Sequence, residues 1–198
     1  RGHSSQDVRQ AVSLIREYDF NLGLQMMTGL PGDTPDFSVR TAEEIIKLIP
    51  DMVRIYLSLT IKDKNKKKMY QNGKYTPQTL NESIELSKKL IIMFESAGIN
   101  VIRVGLQPTE EISPDASVVA GPFHSSYREL VESSIYFDII SKEIKEGKGI
   151  IYVNPSEISK ATGNRKENIK KLKEQYNAEV VIKGDNNLKK REVRYVCC

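Results

Sequence analysis

The ten residues Gln25 to Thr34, Q-M-M-T-G-L-P-G-D-T, constrain the fold more than any other stretch of the chain. A short apolar run is cut by Gly29-Leu30-Pro31-Gly32 and followed by Asp33 and Thr34, residue types that open helices, so the local order is strand, turn, helix. Pro31 sets φ for the first central place of a type II turn, and Gly32 permits the positive φ of the second. At the carboxyl end of a parallel strand such a turn lets a flat ligand approach bare main chain, because glycine has no side chain in the way. Many strand-to-helix connections use the same residues with no ligand. The motif therefore specifies the turn and leaves binding open.

The flanking periodicities extend this unit into a parallel α/β arrangement. Val8, Ala11, Val12 and Ile15 recur at helical spacing behind Ser4 and Ser5, which cap a first turn, and this helix feeds the strand Leu22 to Met27. Ala42, Ile45, Ile46 and Ile49 mark a second helix that stops at Pro50. Val53, Ile55, Leu57 and Leu59 alternate as a strand does. A lysine-rich stretch from Lys62 to Lys74 reads as a loop with a short helical piece and a solvated surface. A helix follows from about Pro77 to Ala97, ended by Gly98, and then a strand from Ile99 to Val104. This cadence belongs to right-handed β-α-β units and predicts an incomplete α/β barrel over residues 1–108. Residues 109–148 read as a connecting segment and a helix from Ser125 to about Lys148, and residues 149–198 as a second, α+β module. Half a barrel exposes strand edges and apolar helix faces, which predicts self-association.

Composition separates the two modules further. Residues 149–198 contain 11 Lys or Arg against 6 Asp or Glu, whereas residues 1–148 contain 19 against 20. The positive surplus is thus concentrated in the tail, where it suits either an anionic partner such as nucleic acid or a solvated lysine-rich face. No run approaches the roughly 20 apolar residues of a membrane span. The only cysteines, Cys197 and Cys198, are adjacent and form no disulfide framework, which points to a reducing, cytoplasmic setting. His3 and His124 lack metal-ligand spacing with Cys, Asp or Glu, and His124 reads as a capping or packing residue.

Taken with Arg1-Gly2-His3, the run Asp51 to Leu59, I-R-V-G-L-Q at Ile102 to Gln107 and A-G-P-F-H-S-S-Y-R-E-L at Ala120 to Leu130, the turn gives the chain a family likeness over roughly residues 1 to 135. It resembles the carboxyl-terminal part of a radical S-adenosylmethionine enzyme, of the group containing the catalytic subunit of Elongator and proteins called oxygen-independent coproporphyrinogen III oxidase-like. The resemblance implies the second half of a partial (β/α)6 barrel. For the intact enzyme it implies S-adenosylmethionine and a four-iron, four-sulfur cluster on a C-x3-C-x2-C loop, with reductive cleavage to a 5'-deoxyadenosyl radical. That loop is absent from this sequence, and the chain opens on Arg1 in mid-motif. The expectation is therefore a piece of a longer enzyme, inactive alone.

Carried onto these residues, the resemblance implies that Gln25, Met27, Thr28, Gly29, Leu30 and Pro31 hold the adenosine part of the cofactor by backbone and apolar contacts, with Ile55 and Tyr56 on the following strand as neighbours. Gln25 stands where related coproporphyrinogen oxidases often have a carboxylate. Arg1 is placed to meet the cofactor's carboxylate. Arg103 and Gln107 flank the end of the last barrel strand, where they suit an anionic substrate or, for Arg103, a structural salt bridge.

The tail reads strand, short helix, G-N-R-K turn, helix, strand, which resembles the core of a KH domain with its G-x-x-G loop for a nucleic-acid backbone. Gly163 matches the first glycine and Lys166 replaces the second, while Asn164, Arg165 and Lys166 complete a charged turn that suits RNA contact or a degenerate structural module. Elongator's catalytic subunit acts on transfer RNA, so the resemblance implies an RNA-modifying enzyme. A tetrapyrrole enzyme and a non-catalytic KH-like RNA-binding protein are the alternatives.

Overall fold

A computed structural model describes residues 2–62, 65–106 and 118–198. The chain divides into two compact units that meet in sequence between Tyr127 and Arg128. Among the described residues no helix is long and apolar enough to cross a membrane.

In the first unit the elements are α1 Ser5–Glu17, β1 Gly23–Thr28, α2 Pro35–Lys47, β2 Met52–Leu57, β3 Thr60–Ile61, α3 Asn65–Gln71, α4 Leu80–Ser96, β4 Asn100–Val104 and β5 Val118–Ala120. Local chemistry sets the helix starts. Ser4 caps α1 in a reciprocal box with Asp7, Thr34 caps α2 with Pro35 in its first turn, and Thr79 caps α4 in a box with Glu82. Gly98, at φ +74°, ends α4 and turns the chain into β4.

The strands β1, β2 and β4 form a parallel sheet in that order. Because spatial order follows chain order, connections of one hand put α2 and α4 on the same face; the two helices touch each other, α2 touches β1, and α4 touches β4. That face carries the core: Met26, Val53, Ile55 and Leu57 of the strands lie at 3% exposure or less, as do Ala42, Leu90, Ile91 and Phe94 of the helices. Gln25 and Arg54, which alternate with these strand residues, are exposed. Ile49, expected to continue the apolar stripe of α2, lies beyond its end at φ +47° and is 72% exposed.

Two features of this unit were not expected. The segment after β4 does not run without structure, since Val118–Ala120 pairs antiparallel with Thr60–Ile61 as β5 on β3. And β4 contains a bulge: Val53 pairs with Val101, but Arg54 pairs with Arg103, so Ile102 is an extra residue. A period-2 strand would bury Val101 and Arg103; the inserted residue buries Val101 and Val104 instead.

The second unit begins with α5, Tyr127–Glu143, whose Tyr127 belongs to the first unit. It continues through β6 Gly147–Val153, a 3-10 turn at Pro155–Glu157, α6 Ile158–Thr162, a second such turn at Asn164–Lys166, α7 Glu167–Tyr176, β7 Ala178–Gly184 and β8 Val193–Cys197. The sheet order is β7-β6-β8, with β6 parallel to β7 and antiparallel to β8. The helix read from the sequence as part of a connecting segment packs here, its Tyr136 and Ile140 joining Ile151, Val153, Leu172 and Ala178 in one buried cluster. Strand β8 is a further addition to the sequence reading.

Candidate functional site

Parallel register brings one polar row across the face of the first sheet that α2 and α4 leave uncovered. Gln25 of β1 pairs with Arg54 of β2, and Arg54 pairs with Arg103 of β4. The next row is Met27 and Tyr56, and the Tyr56 hydroxyl accepts a 3.4 Å hydrogen bond from an Arg103 guanidinium nitrogen. Four residues singled out from the sequence, Gln25, Met27, Tyr56 and Arg103, therefore share a face. Arg54 was missed, although its place between Val53 and Ile55 in an alternating strand already puts it opposite the core.

Thr28 and Ile55 fall on the other face. They are 1% and 0% exposed and their side chains belong to the helix-covered core, so neither side chain faces the row of Gln25 and Arg103. Arg1 and Gln107 lie outside the described residues.

The glycine turn has the geometry its residues dictate. The Asp33 amide donates to the Leu30 carbonyl at 2.9 Å across Pro31 and Gly32, and Gly32 has φ +82°. Leu30 is half-buried and Pro31 exposed. Gly29, at φ +71°, is enclosed by its own chain: its amide donates to Asp33 Oδ2 at 2.8 Å, and its carbonyl accepts from the Tyr75 hydroxyl at 2.6 Å. Its open side is occupied as well, since a Cβ added there would stand 2.8 Å from Gln78 Oε1. The slot expected to admit a flat ligand against bare backbone is thus filled by Tyr75 and Gln78. Burial pushes the Tyr75 phenol above its ordinary value, a shift opposed by hydrogen bonding to Ser58 and reinforced by the Asp33 charge.

Lysine chemistry enters the same region unannounced by sequence. The Lys66 ammonium donates to Ser58 Oγ and to the Leu59 carbonyl and lies 5.9 Å from the centre of the Tyr75 ring. In the same unit Thr28 Oγ1, Thr60 Oγ1 and Gln78 Oε1 are buried with no hydrogen-bond partner among the described residues.

The phrase A-G-P-F-H at Ala120 to His124 serves packing. Leu57, Leu59, Phe123 and His124 border one tightly packed recess that leaves no room for a water-sized guest. His124 Nδ1 accepts the Ser126 amide at 3.0 Å, a capping role. Gly105, from the phrase I-R-V-G-L-Q, makes room for the Tyr127 ring, which a Cβ would approach to 2.7 Å.

Residues 50–136 match the Radical_SAM C-terminal domain. The chain is 30% identical over 89 residues to tRNA uridine(34) acetyltransferases of Methanocaldococcus infernus and Methanocaldococcus jannaschii, which covers 43% of this chain and 17% and 16% of those proteins. A solved structure, the archaeal Methanocaldococcus infernus Elp3 with an N-terminal deletion, superposes with a TM-score of 0.57 at 25% identity, over 68% of this chain and 31% of that one. The chain is similar to the carboxyl-terminal part of an Elongator-like radical S-adenosylmethionine protein. It spans about a sixth of the length of the curated relatives it matches.

For an Elongator-like protein the implied groups are S-adenosylmethionine and an iron-sulfur cluster. The residues present do not fit the cluster: two cysteines cannot supply three thiolates, both are exposed, and no group of three His, Cys, Asp or Glu suited to a metal ion occurs among the described residues. Nor does Gly29 offer the cofactor a free amide, carbonyl or open side as it stands.

In the second unit the charged turn is well defined. Gly163 has φ +81°, and a Cβ there would lie 2.9 Å from the Asn168 amide nitrogen, so α7 packs directly on it. Arg165 and Lys166 both hold left-handed conformations, φ +51° and +62°. Lys166 thus takes up, with a side chain attached, the backbone shape that a second glycine would adopt freely. Asn168 fixes the turn from beneath by donating to the Ser133 and Ala161 carbonyls at 2.9 and 3.0 Å.

Proposed function

We propose that this chain is the RNA-facing, carboxyl-terminal part of a radical S-adenosylmethionine protein that modifies transfer RNA. The observation that carries the proposal is the Gly163 to Lys166 turn. It projects two cations from a rigid base between two helices of a unit whose sequence resembles a KH core, in a chain similar to proteins named tRNA uridine(34) acetyltransferase. Holding two non-glycine residues in the left-handed region costs about 1–2 kcal/mol each, a cost met by the packing of Gly163 and Asn168. Phosphate oxygens would take Arg165 and Lys166 as charge-assisted donors.

The parallel sheet of the first unit serves as the closing wall of the barrel in the intact protein. Gln25, Met27 and Tyr56 on its uncovered face are the residues toward S-adenosylmethionine, which supplies the radical chemistry when bound at a cluster held elsewhere in the protein. Arg103 faces substrate. What this chain contributes is orientation and the exclusion of water.

A second reading is favoured by the enclosure of Gly29: with its amide, carbonyl and open side all engaged by Asp33, Tyr75 and Gln78, the chain acts as a non-catalytic RNA-binding protein on a barrel-derived scaffold. Titration of transfer RNA into the chain at rising salt tests what the readings share. Binding that weakens linearly on a log-log plot supports both, and no binding at low salt removes RNA from the account. Addition of S-adenosylmethionine to the whole cluster-bearing protein separates them: saturable binding supports the enzyme, and its absence supports the scaffold.

A further inference from the structure

The bulge in β4 gives the first sheet a feature that neither a barrel nor a helix-covered sheet requires. Bulges are rare between parallel strands, and where they occur they re-aim side chains. Here the extra residue, Ile102, rotates Arg103 from the core face to the uncovered face and sets it directly across from Arg54. Without it Arg103 would pair with Ile55, which is 0% exposed, and a guanidinium would enter the core. The bulge therefore costs the sheet its regularity and in return places two arginines in direct register on neighbouring strands.

Like charges on directly opposed strand residues are destabilising. Neither arginine is relieved by an ion pair among the described residues: Arg103 is hydrogen-bonded to the Tyr56 hydroxyl, and no carboxylate lies within salt-bridge distance of Arg54 or Arg103. Among the described residues the groups in the rows beside them, Gln25, Met27 and Tyr56, carry no acid. Neighbouring strands lie roughly 4.8 Å apart, a spacing that lets two planar guanidinium forks converge on the oxygens of one tetrahedral anion.

We propose that Arg54 and Arg103, brought into register by the Ile102 bulge, form a clamp for a backbone phosphate of the RNA substrate. This rests on the RNA reading above and adds to it a second RNA-binding surface, on the other unit from the charged turn. A phosphodiester is the occupant because a row with two cations and, among the described residues, no acid complements a chain of single negative charges.

The test compares transfer RNA binding by the whole chain with that of R54A, R103A, the double variant R54A/R103A, the charge-keeping R54K/R103K, and R165A/K166A. The double alanine variant is expected to weaken binding by at least about tenfold, the factor associated with one charge-assisted hydrogen bond. It should also flatten the salt dependence by roughly one unit of log-log slope for each phosphate that is no longer neutralised. R54K/R103K should recover the slope and only part of the affinity, since lysine keeps charge without the planar fork. Unchanged circular dichroism and urea midpoints separate these effects from misfolding. If R165A/K166A weakens binding while R54A/R103A leaves affinity and slope as in the unsubstituted chain, the clamp is wrong and the RNA reading stands. If the unsubstituted chain binds no transfer RNA at low salt, both are overturned.

Discussion

The Tyr75 hydroxyl donates a 2.6 Å hydrogen bond to the carbonyl of Gly29, joining the far end of the lysine-rich segment to the glycine turn across 46 residues of sequence. With Gln78 on the open side of the same glycine, this bond decides how the turn presents itself. Replacing Tyr75 by Phe leaves the Gly29 carbonyl buried without its donor, and the chain should lose about 1–2 kcal/mol of stability. Urea unfolding followed by circular dichroism measures the loss. A midpoint within error of the unsubstituted chain would show that the bond contributes nothing net.

Lys166 gives a prediction of opposite sign. Its φ of +62° suits glycine, so Lys166→Gly should raise stability by about 1 kcal/mol. The same substitution removes one of the two cations of the turn and should weaken RNA binding. Greater stability with weaker binding marks a residue kept for its charge against the preference of its backbone. Unchanged affinity would assign the turn to structure alone.

The second unit holds a buried polar network. Glu157, 2% exposed, accepts the Tyr136 hydroxyl at 3.0 Å and the Lys160 ammonium at 3.0 Å. Tyr136 in turn accepts the Arg191 amide at 3.1 Å, and Arg191 pairs with buried Glu132 at 2.7 Å. Burial acts to raise the Glu157 carboxyl, but the hydrogen bonds from Lys160 and Tyr136 outweigh it and leave the group below its ordinary value of 4.5.

A carboxylate whose pKa is lower folded than unfolded contributes stability that is present above the unfolded value and is lost as pH falls through the folded one. The second unit should therefore weaken as pH drops below about 4.5. Glu157→Gln should show a shallower decline over that range in urea midpoints taken between about pH 3 and 6. Parallel curves for the two proteins would exclude Glu157 as a contributor.

Much of the architecture was legible because it follows local rules. The alternation of Val53, Ile55 and Leu57 gave the strand, Thr79 and Gly98 sit at the ends of α4, and the tail's order of strand, two helices and strand appears as read. What escaped was set by register and by distant packing. Val101 and Val104 are three apart yet both buried, a spacing that signals a bulge only once the partner strand is known.

The candidate site shows the same division. Gln25, Met27, Tyr56 and Arg103 share the face that α2 and α4 leave uncovered, whereas strand alternation turns the side chains of Thr28 and Ile55 into the core. The enclosure of Gly29 by Tyr75 and Gln78 has no local signature, and neither does the burial of Lys66 against Ser58, within a stretch whose composition suggests a solvated surface.

Photocrosslinking of transfer RNA to the whole chain, followed by peptide mapping, tests the central claim most directly. The account predicts adducts on the peptides that carry Gly163 to Lys166 and on those that carry Arg54 and Arg103, all suppressed by high salt. Adducts confined to other segments, or none above the level of an unrelated protein, would contradict it.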